Sequence, residues 1–544
     1  MSRMFVTLTL ICLCLTSGRV SAQEEKNSST ERGAKIETIA GEWELKPLAV
    51  KGSPAGDTGG RFEYFDIFFA QPPLWVQSGM VAFWAKFGPK DKDVALFSIK
   101  DGKVVRVLIE EQSFPALGSN KAQVQRTARP YSPNGSNPHL FGWETLHAGK
   151  NLLYINAVQG KWQPKLAIYT WDGERLQLLL AEDSEVEIGG ARYKVRSAFV
   201  REILPDGRAV IMCDMGNSKK GSRSLLDSFI CYCFVHDGVK LTPLLQLEQE
   251  KPLPGLPDII FQSFLHFSTF TGPLLFFNGG AVVGLKVKGA PYKEALFRIT
   301  ADKAEKIIAI GDPDPLDPTR KIQTILDGGA TNKNNIAFVA SSAKGSPKPM
   351  LLLYRDGKFQ KVFDNTYPGV KEKAGLRYYE IGNGFFPGEG SSDFIFKVTF
   401  HRELSKSERG NFFRANYELV PHYFFFDGEQ AHHLYESAQT TLQTRLLSLA
   451  YLGKGPVETP GVIVRGVGAK GIRQLDTGIT VEIPDWGSSW MIYGMGKDFS
   501  FKPAPEFNVQ GRKVSLGDVI GWKSPTEAIV RLDDGLYLLS RLRQ

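Results

Sequence analysis

A two-strand pattern built around an Asp-Gly pair recurs along the chain, and it is the feature that most restricts the fold. It is first complete in VALFSIKDGKVVRVLIEE, Val94 to Glu111, and it returns at Lys165 to Asp183 and at Met350 to Asn365. In each copy the Asp-Gly pair separates two apolar-rich runs, which is the sequence signal of a β-hairpin with a type I′ turn. The pattern therefore predicts repeated antiparallel sheets.

The turn signal occurs six times and has one weaker copy. The pairs are Asp101-Gly102, Asp172-Gly173, Asp237-Gly238, Asp356-Gly357, Asp427-Gly428 and Asp534-Gly535, and Ala301-Asp302 takes the turn position in the weaker copy. A further strand precedes most of these hairpins, as in SGMVAFWAKF from Ser78, and a less regular strand lies before that one, as in KVRSAFVREIL from Lys194. About four strands per copy is the content of one β-propeller blade.

The chain is therefore predicted to be all-β, with a single β-propeller domain over residues 43–544. Seven hairpins predict seven blades, and eight blades are the alternative because the last interval holds extra strands such as those in GITVEIPDWGSSWMIYGM. A four-stranded unit cannot bury both of its faces alone, so blades pack face to face around an axis. Because WELKPLAV, Trp43 to Val50, resembles the strands after the Asp-Gly turns, we expect it to pair with the C-terminal strands and close the ring.

The N-terminus carries an export signal. Residues 1–22 read as a signal peptide that is cleaved after Ala22, and the polar residues 23–42 read as a flexible leader. No later segment offers the roughly 20 consecutive apolar residues of a membrane span. We therefore expect a secreted or periplasmic protein, monomeric and without a membrane span. Removal of the signal lowers the formal charge from +8 to +6, and the basic residues are dispersed, which argues against a nucleic-acid partner.

Four segments resemble the tandem repeats of secreted bacterial proteins that carry an NxxGxxAF motif. They are KGSPAGDTGGRFEYF, SGMVAFWA, ALFSIKDGKV and IGDPDP. In the first repeat Gly79, Ala82 and Phe83 match the motif, whereas Val76 stands at its Asn position. The resemblance implies a propeller-like fold, and it transfers no catalytic residues because the family has no established common activity.

Three sets of residues could bind a metal or form a covalent link. Asp312, Asp314 and Asp317 in GDPDPLDP could hold calcium through their carboxylates, although Asp-Pro pairs are also ordinary turn material, which is the preferred interpretation. Cys213 could form a disulfide with Cys231 or Cys233, and the preferred alternative is that all three are small buried residues. The eight histidines show no metal spacing, so a zinc site is disfavoured.

No set of catalytic residues is visible in the sequence. A nucleophile elbow with plausible partners is absent, and DWGSSW, Asp485 to Trp490, shares only composition with the sialidase repeat. The charged segment His401 to Arg414 is a solvated loop or a binding loop. We therefore predict an exported, non-enzymatic propeller that binds a carbohydrate, peptide or protein at one end of its axis, without a cofactor. The alternative is a hydrolase or lyase of extracellular polysaccharide, which needs titratable side chains that converge at the channel mouth.

Overall fold

The computed structural model describes most of the chain between residues 42 and 542. The described ranges are 42–65, 74–76, 78–88, 93–109, 146–159, 165–204, 206–217, 230–265, 275–277, 279–332, 335–342, 349–364, 376–381, 386–387, 394–403, 417–426, 428–436, 445–452, 461–467, 471–474, 480–483, 489–493, 500–503, 506–515, 518–524 and 526–542. The predicted signal peptide and nearly all of the predicted leader lie outside these ranges. Every described residue belongs to one compact unit, Ile36–Gln544.

The described residues form antiparallel strands and one short 3₁₀ turn, Gly56–Thr58, so the predicted all-β class is confirmed. Eight sheets, numbered here along the chain, each contain four successive strand positions, from an inner strand to an outer one, and sheets 3 and 4 have one further short strand beside the inner one, Glu185–Ile188 and Pro252–Leu253. In sheets 1, 4 and 6 the inner position is shared by two strands.

The first four sheets contain the following strands. Sheet 1 has Phe62–Tyr64, Leu74–Val76, Met80–Phe87, Asp93–Lys100 and Lys103–Ile109. Sheet 2 has Leu146–Ala148, Leu153–Gln159, Lys165–Trp171 and Leu176–Ala181. Sheet 3 has Glu185–Ile188, Ala191–Ile203, Ala209–Asn217, Ile230–His236 and Leu241–Glu248. Sheet 4 has Pro252–Leu253, Leu256–Phe264, Leu275–Phe277, Gly280–Lys288, Glu294–Thr300 and Ala304–Ala309.

The remaining sheets follow the same plan. Sheet 5 has Thr324–Asn332, Asn335–Ser341, Met350–Arg355 and Lys358–Phe363. Sheet 6 has Leu376–Ile381, Phe386–Pro387, Phe394–Glu403, Tyr417–Phe426 and Ala431–Glu436. Sheet 7 has Arg445–Leu452, Gly461–Val467, Ser489–Tyr493 and Ser500–Pro503, and sheet 8 has Val519–Ser524, Glu527–Leu532, Gly535–Arg541 and Trp43–Val50. Three small hairpins lie between sheets: Pro313–Asp314 with Asp317–Lys321, Gly471–Gln474 with Thr480–Ile483, and Glu506–Val509 with Arg512–Ser515.

Two of the predicted Asp-Gly hairpins have the predicted turn. Asp101 and Gly102 have φ of 52° and 74°, and Asp356 and Gly357 have φ of 50° and 76°. Each pair joins the third and fourth strands of its sheet through a two-residue loop. Positive φ at both central residues is the type I′ geometry, so the prediction is confirmed at these two turns.

The type I′ prediction is wrong at Asp172 and Asp237, although both hairpins exist. Each loop has four residues, from 172 to 175 and from 237 to 240, and only its glycine has positive φ. The physical reason is a side-chain bond. Asp172 Oδ1 accepts the N–H groups of the residues two and three positions later, at 2.8 and 2.7 Å. Asp237 Oδ1 accepts the N–H groups of the residues two and three positions after it, both at 2.9 Å. An Asx turn of this kind replaces the tighter backbone turn.

The last three predicted turns also differ from the expectation. Gly428 lies in a loop of four positions, between the strands that end at Phe426 and begin at Ala431. Asp427, in the same loop, lies outside the described residues. The loop at Ala301-Asp302 has three residues, from 301 to 303. The turn predicted at Asp534-Gly535 is formed by residues 533 and 534 instead, and it joins the second strand of sheet 8 to the third.

Apolar clusters fill the junctions between consecutive sheets. Tyr154 and Ile168 of sheet 2, for example, share a cluster with Val200 and Tyr232 of sheet 3. Equivalent clusters join sheets 8 and 1, 1 and 2, 3 and 4, 4 and 5, and 5 and 6. A middle strand such as Asn335–Ser341 is therefore buried along its whole length, because both faces of its sheet are covered.

The N-terminal strand completes the C-terminal sheet, as the sequence predicts. Trp43–Val50 pairs antiparallel with Gly535–Arg541 and takes the outer position of sheet 8. Trp43 and Ala49 are buried there, and the amide of Leu542 donates to the carbonyl of Glu42 at 2.8 Å. Both ends of the described chain thus meet in one sheet.

Candidate functional site

The inner strands of the sheets contact one another in chain order and mark a common axis. Leu74–Val76 contacts Leu146–Ala148, which contacts Ala191–Ile203. The contacts continue from Leu275–Phe277 through the inner strands of sheets 5, 6 and 7, and Val519–Ser524 of sheet 8 contacts Leu74–Val76. In propellers the mouths of this axis are the usual ligand sites.

One end of the axis, called here the turn end, carries the loops between the first and second strands. Backbone bonds join these loops across sheets 1, 2 and 3: Ser78 N–H donates to the Lys150 carbonyl at 3.0 Å, and Lys150 N–H donates to the Gly207 carbonyl at 2.9 Å. Gly207 has φ of 82°, and a Cβ there would lie 2.8 Å from the backbone nitrogen of Lys150. Backbone bonds and a close approach at Gly207 thus link the described loops of sheets 1, 2 and 3 at the turn end.

Asn156 fixes the inner edge of sheet 3 to sheet 2. Its Oδ1 accepts the N–H of Val200 at 2.9 Å, and its Nδ2 donates to the Val200 carbonyl at 3.2 Å. The same Nδ2 lies 3.2 Å from Nε2 of His147 on the inner strand of sheet 2. The amide thus pairs with a buried backbone unit on an inner strand.

Glu202 makes the corresponding link between sheets 3 and 4. Its Oε1 accepts the N–H of Phe276, on the inner strand of sheet 4, at 3.1 Å. Burial raises the pKa of this carboxyl to about 7, and Arg201 and the Phe276 N–H offset only part of that effect. Glu202 is therefore a half-buried axial acid that spends part of its time neutral near pH 7.

The described axial contacts reveal hydrogen-bonding side chains, of which Glu202 is a carboxyl. Within the described ranges, no three Asp, Glu, His or Cys side chains converge on a metal-sized site. Glycosidases need two carboxyl groups about 5 to 10 Å apart. Glu202 is the axial carboxyl that the described contacts reveal, and it is hydrogen-bonded to the backbone of the next sheet.

The three aspartates proposed for calcium do not share a site. Asp312 pairs with Lys306 at 2.8 Å and accepts the Ala309 N–H at 2.8 Å, whereas Asp317 pairs with Arg320 at 3.0 Å. Asp314 is buried and accepts the amide of Leu316, two positions later, at 2.9 Å. These bonds stabilise the small hairpin between sheets 4 and 5, in agreement with the turn interpretation.

The cysteines occupy two faces of sheet 3. The register places Cys213 opposite Tyr232 and Cys233 opposite Met212, and the two cysteines are buried in different apolar clusters. A bond between Cys213 and Cys233 is thereby excluded. Cys231 stands opposite Asp214 in the register.

Two histidines are buried and bonded to neighbouring side chains. His147 lies beside Asn156, and His236 Nδ1 lies 2.9 Å from the hydroxyl of Tyr154 at the junction of sheets 2 and 3. Burial lowers the pKa of His236 and raises that of the Tyr154 hydroxyl. Both histidines thus have structural partners.

Two predicted segments fall largely outside the described residues. Of the charged segment His401 to Arg414, residues 401–403 end a strand of sheet 6 and the rest is not described. Of Asp485 to Trp490, only Ser489 and Trp490 are described, at the start of a strand of sheet 7.

The similarity of this chain to known proteins is remote. No family model matches the chain, and no curated protein matches it. Among solved structures, the WD40 domain of SCAP from fission yeast is similar at 8% identity, with 92% of this chain and 98% of that chain covered and a TM-score of 0.29. The polysaccharide lyase Uly1 is similar at 10% identity, with coverage of 79% and 94% and a TM-score of 0.37. The Aleuria aurantia lectin is similar at 9% identity, with coverage of 68% and 95% and a TM-score of 0.23.

Asn156 and Glu202 were not predicted from the sequence. Both stand inside strand segments that were recognised, LLYINAV and KVRSAFVREIL, and each interrupts an apolar run. A polar residue at a buried strand position is the signal that could have identified them, because such groups need hydrogen-bond partners.

The described part of the chain contains no helix with the length and apolar character of a membrane span.

Proposed function

We propose that the chain is an exported, non-enzymatic β-propeller that binds a carbohydrate, peptide or protein ligand at one end of its axis. The observation that carries the proposal is the axial wall. Two of the polar side chains beside the axis, Asn156 on the second strand of sheet 2 and Glu202 on the inner strand of sheet 3, are bonded to backbone groups of the neighbouring sheet. Such groups stabilise the wall and leave recognition to the loops at the two ends.

The ring itself is part of the proposal. Eight sheets of four or more strands favour eight blades over seven. Sheet 8 contacts sheet 1, and from sheet 1 onward each sheet contacts the next as far as sheet 7. A junction between sheets 7 and 8 would close the ring. Closure would explain why the outer strand of the last sheet comes from the N-terminus. Membership of the NxxGxxAF-like exported proteins remains a prediction.

The test compares binding with turnover. The mature protein, residues 23–544, is applied to arrays of bacterial and plant polysaccharides and to an immobilised random-peptide library, and the same polysaccharides are assayed for chain cleavage. The proposal expects saturable binding to one class without product. Cleavage at enzymatic rates would refute it and favour the hydrolase or lyase.

Two charge reversals locate the binding end. Lys150 is exposed at the turn end. Lys288 is the last residue of the second strand of sheet 4, at the end of that strand away from the turn end, and its side chain is 61% exposed beside Glu250. A ligand at one end should lose affinity with Lys150→Glu or with Lys288→Glu, and the other variant is then the matched control. Equal losses from both would contradict a site at a single end.

A further inference from the structure

The turns between the third and fourth strands of sheets 1 and 2 recur in sheets 5 and 6 with one constant offset in residue number. The same offset brings the fourth strand of sheet 2, Leu176–Ala181, into coincidence with that of sheet 6, Ala431–Glu436, at both ends. The turn sequences repeat as KDGK from Lys100 and RDGK from Arg355, and as WDGE from Trp171 and FDGE from Phe426. The two pairs of sheets are therefore equivalent at these turns.

In the first pair, a lysine links the two turns. Lys100 precedes the type I′ turn of sheet 1, and its Nζ donates to the carbonyl of Asp172, in the four-residue loop of sheet 2, at 3.1 Å. The stem of Lys100 lies against Gly173, where a Cβ would be 2.5 Å from the lysine Cδ. Gly173 also has φ of 100°. Glycine is thus required there by the approach of Lys100 as well as by the backbone.

In the second pair, an arginine makes the same link. Arg355 precedes the type I′ turn of sheet 5, and its Nη2 donates to the carbonyl of Gly428, in the corresponding loop of sheet 6, at 3.1 Å. Gln360 supports this contact, since its Oε1 accepts from Arg355 Nη2 at 3.0 Å and its Nε2 donates to the carbonyl of Glu429 at 2.9 Å. Lys100 and Arg355 are both half-buried, so these charge-assisted bonds are partly shielded from water.

A second contact in each pair involves the residue before the wider loop. Trp171 donates its indole N–H to Ser98 Oγ of sheet 1 at 3.0 Å, and both residues are buried. The constant offset carries these two residues to Phe426 and Leu353, which lie together in the apolar cluster between sheets 5 and 6. The indole N–H has an acceptor in the first pair, and the phenyl ring lies among apolar side chains in the second. The two junctions are thus equivalent in depth as well as at the surface.

We propose that Lys100 and Arg355 are clasps, each of which fastens one sheet to the next and couples the local opening of the two sheets. The turn types suit this role. In both pairs a two-residue turn follows the basic residue, and a four-residue loop with glycine at its second position supplies the acceptor. This inference concerns how neighbouring sheets are held together, and it does not depend on the ligand.

The first experiment removes each cation and keeps an aliphatic stem. Lys100→Met and Arg355→Met are unfolded in urea beside the unaltered mature chain. Lys103→Met and Lys358→Met are the matched controls, because these lysines are exposed on the other side of the same turns. Loss of a bond from a charged donor should raise the unfolding equilibrium constant by about 5- to 30-fold in each clasp variant. Each control should change it by less than about twofold.

Amide exchange shows whether the effect crosses to the next sheet. Lys100→Met should speed exchange in the loop of sheet 2, residues 172–175, and Arg355→Met should do so in residues 428–430 of sheet 6. The control variants should leave both loops unchanged. Faster exchange confined to the altered sheet's own turn would overturn the coupling, and clasp variants as stable as their controls would overturn the clasps themselves.

A double-mutant cycle tests the contact at Gly173 separately. Gly173→Ala strains the backbone in any background, and in the unaltered chain it also displaces the stem of Lys100. The same change should therefore cost less stability beside Lys100→Ala than in the unaltered chain. Strictly additive losses would show that Lys100 and Gly173 act independently and would overturn the clasp between sheets 1 and 2.

Discussion

Replacement of Asn156 by alanine should be among the most damaging single changes in the protein. Asn156 is 7% exposed, and its side chain satisfies both the N–H and the carbonyl of Val200, which is itself buried. Without it, two buried backbone groups lose their partners, and each such loss costs about 1–3 kcal/mol. Asn156→Ala should therefore destabilise the fold by about 2–6 kcal/mol, before any effect of the lost contact with His147.

The assay is equilibrium unfolding in urea, followed by tryptophan fluorescence, with the midpoint and slope compared for variant and parent. Asn508→Ala is the matched control, because Asn508 is exposed in a small hairpin and should change stability by less than about 0.5 kcal/mol. If Asn156→Ala were as stable as this control, the role given to the amide would be wrong. That result would mean that water, rather than the amide, satisfies the inner edge of sheet 3.

Two further predictions concern a turn and the N-terminus. Gly357→Val should destabilise the protein by more than about 1 kcal/mol in thermal melts, because Gly357 has φ of 76°. No atom lies within 4 Å of the position that a Cβ would take, so the cost is conformational. Lys358→Val, one residue later on an exposed strand position, is the control and should be close to neutral, and equal effects of the two changes would count against the type I′ turn. Mass spectrometry of exported protein should find an N-terminus at Gln23, and a membrane-bound product that retains residues 1–22 would disprove cleavage there.

The strands could be predicted from sequence because their pattern is local. Met80–Phe87 and Asn335–Ser341 are short, apolar and bounded by turn residues, so each is recognisable without knowledge of its neighbours. Turn geometry was less predictable. Asp172 and Asp237 bond forward to the backbone through their side chains, and the sequence Asp-Gly does not distinguish that turn from the type I′ form.

Two type I′ turns were not recognised. Gly189-Gly190 has φ of 58° and 80°, and Gln510-Gly511 has φ of 48° and 78°. Their flanking strands are short and polar, as in Glu185–Ile188, so the apolar runs that identify a hairpin are missing. The signal that was used depends on apolar runs, and these hairpins contribute only isolated apolar residues, such as the buried Val509 and Val514.

The axial contacts could not be predicted because they join residues from different sheets. Glu202 meets Phe276 across 74 positions of sequence, and Asn156 meets Val200 across 44. Which polar residue faces which edge depends on register and on bulges, such as the one between Val200 and Glu202, which change the face that a side chain takes.

The most direct test of the closed propeller is removal of its N-terminal strand. Deletion of Gly41 to Val50 takes away the outer strand of sheet 8, including buried Trp43 and Ala49, and exposes the edge of Gly535–Arg541. A bare strand edge promotes pairing between chains. A closed ring predicts a marked fall in the thermal midpoint and concentration-dependent association in analytical ultracentrifugation, whereas deletion of Gln23 to Glu37 leaves both unchanged. If the two truncated proteins were equally stable and both monomeric, the closed ring would be contradicted.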